Sequence, residues 1–441
     1  MPKITYLGAG STVFAKNVLG DCMQTPALAE AEFALFDIDL ERLKDSEQML
    51  LNLAASTENT KVTIKAYTDR KEALRGASYV INSIQVGGYD PCTITDFEVP
   101  KKYGLRQTIA DTLGIGGLFR SLRTIPVMLD FAQEMQEVCP DAWFLNYTNP
   151  MAALTGAMIR HGGIKTVGLC HSVQGCATGL LRDLGIENKN IKHSIAGINH
   201  MAWLLDITKD GEDLYPEIKR RAIEKNASEK HGDMVRYEMM HRFGFYVTES
   251  SEHNAEYLPY FIKSNYPELI ERFNIPLDEY PRRCVNQIAG WEKMREEMVN
   301  NKALEHKRTH EYASYILEAM ETDVPFKIGG NVLNQGGLIS NLPEKAVVEV
   351  PCLVDKNGVQ PTYVGELPEQ LAALNRTNIN TQLLTIEAAI SGSKDTLYQA
   401  AFLDPHTSAE LSLDDIVSLC DDLIEAHGAW LPQFHGKQVS V

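Results

Sequence analysis

The stretch "YLGAGSTVF", residues 6–14, decides the fold: a β-type apolar run breaks on two glycines and passes directly into a helical pattern. Gly8 and Gly10 stand where bare backbone can approach a pyrophosphate. Ser11 opens the helix, whose N-terminal amides can hold phosphate charge. The third glycine of the dinucleotide fingerprint is absent, because Val13 occupies its position. "LFDID" (35–39) ends the next β-type run and offers Asp37 to ribose hydroxyls, 24 residues after Val13. An acid there favours NAD over a 2′-phosphorylated cofactor. Asp39 reads as the N-cap of the following helix.

The segments "ITYLGAG", "EFALFDID", "VTIKAYTD", "ASYVINSIQVGG" and "AWFLNYTNP" alternate with helical patterns that begin near Phe14 and Leu40. Such alternation predicts a parallel sheet with helices on both faces, a Rossmann-type doubly wound α/β domain over residues 1–193. From Ser194 the texture changes to "SIAGINHMAWLLDIT", then a long helical pattern across 289–320. Strands follow at "FKIGGNVL" and "AVVEVPCLVD", with helices near 367–390 and 413–427. Residues 194–441 therefore read as a second, mixed α/β lobe. No repeat, low-complexity tract or Gly/Ser linker separates the two, so a broad shared interface with the site between them is expected.

The 441 residues carry a formal charge of −17 with no Lys/Arg block, which argues against nucleic-acid or anionic-membrane partners. No apolar run approaches the roughly 18 residues of a membrane span, and the opening residues lack the regions of a secretory signal. A cytoplasmic location is expected. Eight scattered cysteines fit free thiols in a reducing compartment.

Two motifs carry chemistry that a plain dehydrogenase does not need. "LCHSV" (169–173) puts Cys170 at a strand-to-helix junction, and "GINHM" (197–201) brings His200. A thiolate and a neutral imidazole suit a divalent transition metal. Two ligands are too few for a closed structural zinc site, so the other positions would go to water or substrate. The alternative is a buried cysteine and a histidine satisfied by backbone.

Taken with "ADTLGIGGLFRSLRTIP" (110–126), "LNYTNPM" (145–151), "VVEVPCLVD" (347–355) and "DPHTSA" (404–409), these motifs resemble family 4 of the glycoside hydrolases. "QVGGYDPCT" and "SSEHNAEY" look most like its α-galactosidase branch. The resemblance implies a lactate/malate dehydrogenase-like fold, NAD and Mn²⁺ as cofactors, an α-galactoside as the small-molecule substrate, and a homodimer or homotetramer. It further implies a redox-neutral cleavage: oxidation of the sugar at C3, loss of the acidified C2 proton, expulsion of the C1 substituent, water addition and re-reduction. In that scheme Cys170 and His200 hold Mn²⁺, Tyr257 is the base with Tyr260 as its comparator, and Asn149 contacts sugar hydroxyls. Where the phosphoglucosidase branch has an aspartate after the ligand cysteine, this chain has His171, so His171 and Asp111 both stand as the leaving-group acid, with a plain hydrogen bond to the sugar as the other role open to His171. Segment 85–97 has no arginine and contains Asp90 and Asp96, which favours an unphosphorylated sugar; an arginine from elsewhere in the fold stays open. α-Glucosidase and α-galacturonidase activities are the alternatives within the family, and a lactate/malate-type dehydrogenase the alternative outside it. His253 and Glu256 stand as further ligands or as loop polarity, His406 as structural, and Trp203 and Trp291 as packing residues or sugar platforms.

Overall fold

In the computed structural model, which describes residues 1–436, β1 (Lys3–Leu7), β2 (Glu32–Phe36), β3 (Thr63–Tyr67), β4 (Tyr79–Asn82), β5 (Trp143–Asn146) and β6 (Lys165–Gly168) pair in parallel. Their spatial order, 3-2-1-4-5-6, is that of doubly wound dinucleotide-binding sheets. Alternate residues serve the two faces. Ile4, Tyr6, Ile81 and Leu145 enter one core, while Leu7, Val80 and Phe144 enter another against helix Gly114–Val138. The helix expected near Phe14 spans Thr12–Met23, and the one expected near Leu40 spans Leu40–Ser56.

The sheet then continues without a break. β7 (Ile191–Ile198), β8 (Met201–Lys209), β9 (Glu212–Asp213), β10 (Tyr246–Val247), β11 (Phe326–Leu333), β12 (Val347–Asp355) and β13 (Gly358–Pro361) extend it antiparallel. The order beyond β6 is β11, β12, β7, β8 and β10, with β13 beside β12 and β9 beside β8. The anticipated boundary at 193/194 falls inside β7, so the two halves share one sheet. Helix Glu369–Ser391, close to the expected 367–390, packs across Gly114–Val138 and joins the halves from one side. Leu413–His427 buries Ile416, Leu419 and Leu423 as an apolar stripe.

The helical pattern expected across 289–320 is two helices, Glu279–Asn300 and Ala313–Thr322. Tertiary contact overrides the periodicity between them. Asn52 Nδ2 donates to Val299 O at 2.8 Å, and Thr309 N donates to Asp21 Oδ1 at 2.9 Å, drawing the connection onto the first half. All eight cysteines are free and buried. Among the described residues, no helix is long and apolar enough to cross a membrane.

Candidate active site

The glycine turn is built around its acid. Gly8 leaves β1 with φ +87°, and the N–H groups of Gly8 and Ala9 donate to Phe36 O at 3.0 and 3.1 Å. Gly10 N–H donates to Asp37 Oδ2 at 2.7 Å; a Cβ on Gly10 would stand 2.7 Å from that same oxygen. Asp39 caps its helix through the amides of Glu41 and Arg42, both at 3.1 Å. Ser11 makes no capping bond with its side chain, and Val13 is exposed. β1 and β4 diverge at this turn, the switch point at which doubly wound sheets bind ligands. Ser83, Ile84 and Gln85, just past β4, line a cavity of about 430 Å³ that also meets Phe14, Tyr147, Asn149, Cys170 and His200.

Across the cavity, Cys170, His200 and Glu249 each present one ligand atom, all within 4.8 Å of one another. They come from the ends of β6, β7 and β10. His200 (φ +61°) and Glu249 (φ +66°) adopt left-handed backbone, a strain of about 1–3 kcal/mol each that persists where surroundings over-determine it. His200 Nδ1 lies 3.0 Å from Tyr257 Oη, and its Nε2 lies 3.7 Å from Glu249 Oε2. Burial opposes a charged imidazole, yet the charges of Cys170 and Glu249 prevail and push His200 up to about 10. The cluster therefore seeks a cation, and a metal would displace that proton. Sulfur, nitrogen and carboxylate oxygen together balance a 2+ charge, and the oxygen adds a hard donor suited to Mn²⁺.

The remaining wall is a polar chain. His253 Nδ1 lies 2.6 Å from Ser250 Oγ, and its Nε2 lies 3.6 Å from Asp111 Oδ1. Burial raises Asp111, but His253, Arg120 and His200 outweigh it and hold this carboxyl well below the usual range. Arg120 Nε donates to Asn149 O and Nη1 to Tyr280 Oη, both at 3.2 Å. Asn149 Oδ1 is buried in the cavity wall with no partner. His171, half exposed, lies with Nε2 2.7 Å from Glu311 Oε2. That hydrogen bond raises its pKa against the opposing effect of burial.

Other residues singled out in the sequence fall outside the cavity. Tyr257 is fully enclosed, with its hydroxyl on His200, whereas Tyr260 is half exposed and stacks on Phe243 at 6.1 Å. Glu256 accepts from the amides of Thr108 and Ala110 at 2.8 Å and Ile109 at 3.2 Å, holding the loop that carries Asp111. His406 Nε2 donates to Arg106 O at 2.8 Å, and buried Trp203 donates to Asn375 Oδ1 at 3.2 Å. One inference needs correction: Asp96 is no unpaired acid facing a sugar. It is buried, bonds Arg123 through both oxygens at 3.0 and 2.6 Å, and lies 2.9 Å from His427 Nε2. Arg120 meanwhile supplies a cavity-lining cation that segment 85–97 lacks.

Glu249, Arg120 and Tyr280 were not singled out from the sequence. Arg120 lies inside "GGLFRSLRT" and was legible as part of a motif. Glu249 follows a two-residue strand, and Tyr280 opens a helix far along the chain; neither carries a spacing signal.

Residues 3–186 match the Family 4 glycosyl hydrolase description, and residues 195–407 match its C-terminal domain. An alpha-galactosidase of Bacillus subtilis (strain 168) is 68% identical over 98% of this chain and 100% of its own length. An alpha-galactosidase of Rhizobium meliloti is 36% identical over 98% of this chain and 89% of its own. A solved 6-phospho-alpha-glucosidase from gut microorganisms, in complex with NAD and Mn²⁺, superposes with a TM-score of 0.81. It is 21% identical and covers 98% of this chain and 99% of its own.

Proposed function

The chain belongs to family 4 of the glycosyl hydrolases, and from that premise we propose that it is an NAD- and Mn²⁺-dependent α-galactosidase acting on terminal, unphosphorylated α-galactosides. The observation that carries the substrate is the 68% identity, nearly end to end, with the Bacillus alpha-galactosidase. The acids of segment 85–97 do not contribute, since Asp96 is paired with Arg123 and Asp90 is exposed and outside the cavity lining. Free thiols and a nicotinamide cofactor suit the cytoplasm, and a homodimer or homotetramer is the expected assembly.

Gly8, Gly10, Ser11 and Asp37 form the NAD turn: the glycines bring backbone close, and Asp37 can exchange its Gly10 bond for a ribose hydroxyl. Cys170, His200 and Glu249, which line the cavity, would hold the divalent ion, and three protein ligands would leave coordination positions for substrate. When bound, NAD supplies reversible hydride exchange at C3 of the sugar, and Mn²⁺ supplies a Lewis acid for the C2 and C3 oxygens.

The protein's own groups do the rest. Asn149 Oδ1, lacking any protein partner, accepts from a sugar hydroxyl. Removal of the C2 proton needs a base that reaches the cavity. Tyr280 lines it with its hydroxyl against Arg120; burial raises the phenol's pKa and the Arg120 charge opposes part of that rise, while Tyr257 fixes the His200 ring from behind. Asp111, held ionised, accepts rather than donates. His171, at the cavity and oriented by Glu311, delivers the leaving-group proton.

The test is turnover of a nitrophenyl α-galactoside under reducing conditions, with NAD⁺ and Mn²⁺ each present or omitted. Release of nitrophenol that needs both and leaves no net NADH is expected. Stoichiometric NADH, or full turnover by protein stripped of nicotinamide, overturns the reading.

A further inference from the structure

Two seams of the sheet carry a single ladder pair each: β11 pairs with β6 at Asn331 and Gly168, and β12 pairs with β7 at Glu349 and Gly197. Between the seams, Asn331 and Glu349 face each other in the long β11–β12 ladder. Gly168, Asn331, Glu349 and Gly197 thus form one row across four strands. Each end of the row touches a metal-ligand segment: Gly168 lies two residues before Cys170, and Gly197 three before His200.

The middle of the row is polar although it is sealed from solvent, with Asn331 at 0% and Glu349 at 1% exposure. Asn331 Nδ2 donates to Glu349 Oε1 at 3.0 Å and reaches Gly168 O at 3.4 Å. Glu349 lies beside Asn199 and His200, whose polar groups offset part of its burial. Glu349 Oε2 and both amide atoms of Asn199 are buried without partners. Unpaired polar groups in a sheet interior cost free energy that Val or Leu would not. Sheet stability alone does not account for an Asn–Glu pair here.

We infer that Asn331 and Glu349 are positioning residues for the metal centre: Asn331 ties Glu349 across the β11–β6 seam to Gly168, and Glu349 stands in the row opposite Gly197, so the pair sets the separation of Cys170 from His200. With one backbone pair per seam, the ladder alone does little to fix the spacing of these strands. The side-chain bonds from Glu349 through Asn331 to the Gly168 carbonyl add a second tie across the β11–β6 seam. Supports of this kind orient ligands and commonly tune metal affinity. The inference rests on the reading of Cys170, His200 and Glu249 as metal ligands.

The test measures Mn²⁺ binding to the reduced full-length protein, through the paramagnetic resonance signal of free Mn²⁺, with NAD⁺ binding followed separately by fluorescence. Glu349→Ala is expected to weaken Mn²⁺ binding about 10- to 100-fold. NAD⁺ affinity should stay within about twofold, because the glycine turn is remote from the row. Glu349→Gln, which keeps an acceptor for Asn331, should recover most of the loss. With Co²⁺ as the probe, the thiolate-to-cobalt absorption should fade in Glu349→Ala and return in Glu349→Gln. Should Glu349→Ala not fold, Asn331→Ala carries the same test in the same direction. Wild-type Mn²⁺ affinity in the alanine variants, or equal loss of Mn²⁺ and NAD⁺ binding without rescue by glutamine, overturns the inference. If the wild-type protein bound NAD⁺ but no Mn²⁺, the metal reading itself would fall and the row with it.

Discussion

In the parallel half, Gly10 and Asp37 meet within one strand-helix-strand unit, 27 residues apart. Where the parallel half meets the antiparallel one, Cys170, His200 and Glu249 converge from the ends of parallel β6 and antiparallel β7 and β10, 79 residues from first to last. The first site is closed by a local turn and survives distortion elsewhere. The second exists only when β6, β7 and β10 are in register, so its geometry reports on the whole sheet. Perturbations should therefore separate the two, with nucleotide binding retained where metal binding is lost.

Cys170→Ala tests that separation most severely. Loss of a Lewis acid worth several kcal/mol predicts a fall in kcat of about 10³-fold or more. NAD⁺ affinity, from fluorescence titration, should be unchanged. A joint loss would mean that the two sites are one cooperative unit and that the contrast between halves is wrong.

Next in size are the two tyrosines. Tyr280→Phe removes the proposed base and should cost about 10²-fold or more in kcat, with solvent deuterium no longer entering C2 of the sugar. Tyr257→Phe releases only the far side of the His200 ring, so its loss should appear mainly as weaker Mn²⁺ binding and be relieved by excess metal. The reverse pattern would return the base to Tyr257.

These contrasts also explain what could be read from the chain alone. Gly8, Gly10, Asp37 and the Asp39 cap were legible because a turn and its acid are set by short-range spacing. Cys170 and His200 were legible through their motifs. Glu249, Tyr280 and the partnering of Asp96 with Arg123 were not, because no turn or motif fixes these contacts and packing between elements decides them. The 289–320 pattern failed for the same reason: its periodicity persists, yet the segment is pulled apart by contacts to Asn52 and Asp21.

Gly10→Ala sharpens the local side of the comparison. The new Cβ would meet Asp37 Oδ2 at 2.7 Å and Arg42 Cβ at 3.2 Å, so the acid must move. Overpacking of this kind costs about 1–3 kcal/mol. NAD⁺ binding should weaken while Mn²⁺ binding holds, the mirror image of Cys170→Ala. Paired titrations of both ligands decide it.

The smallest effect lies where the halves are tied together. Asp21, on helix Thr12–Met23, accepts from His306 Nε2 at 2.6 Å and from Thr309 Oγ1 and N at 2.6 and 2.9 Å. Burial alone would raise its pKa, but these bonds outweigh burial and hold the carboxyl below its ordinary value. The unfolded chain therefore takes up the proton first as pH falls. The stabilisation is complete above the ordinary carboxylate value of about 4 and drains away as pH falls through the lower folded value. Asp21→Asn should reduce stability at pH 7 by about 1–2 kcal/mol. Its Tm deficit should be constant from neutral pH to about 5 and shrink below that, as the wild-type protein loses the same contribution. A deficit that persists unchanged through the acid range would mean that Asp21 holds the two halves by shape and not by charge.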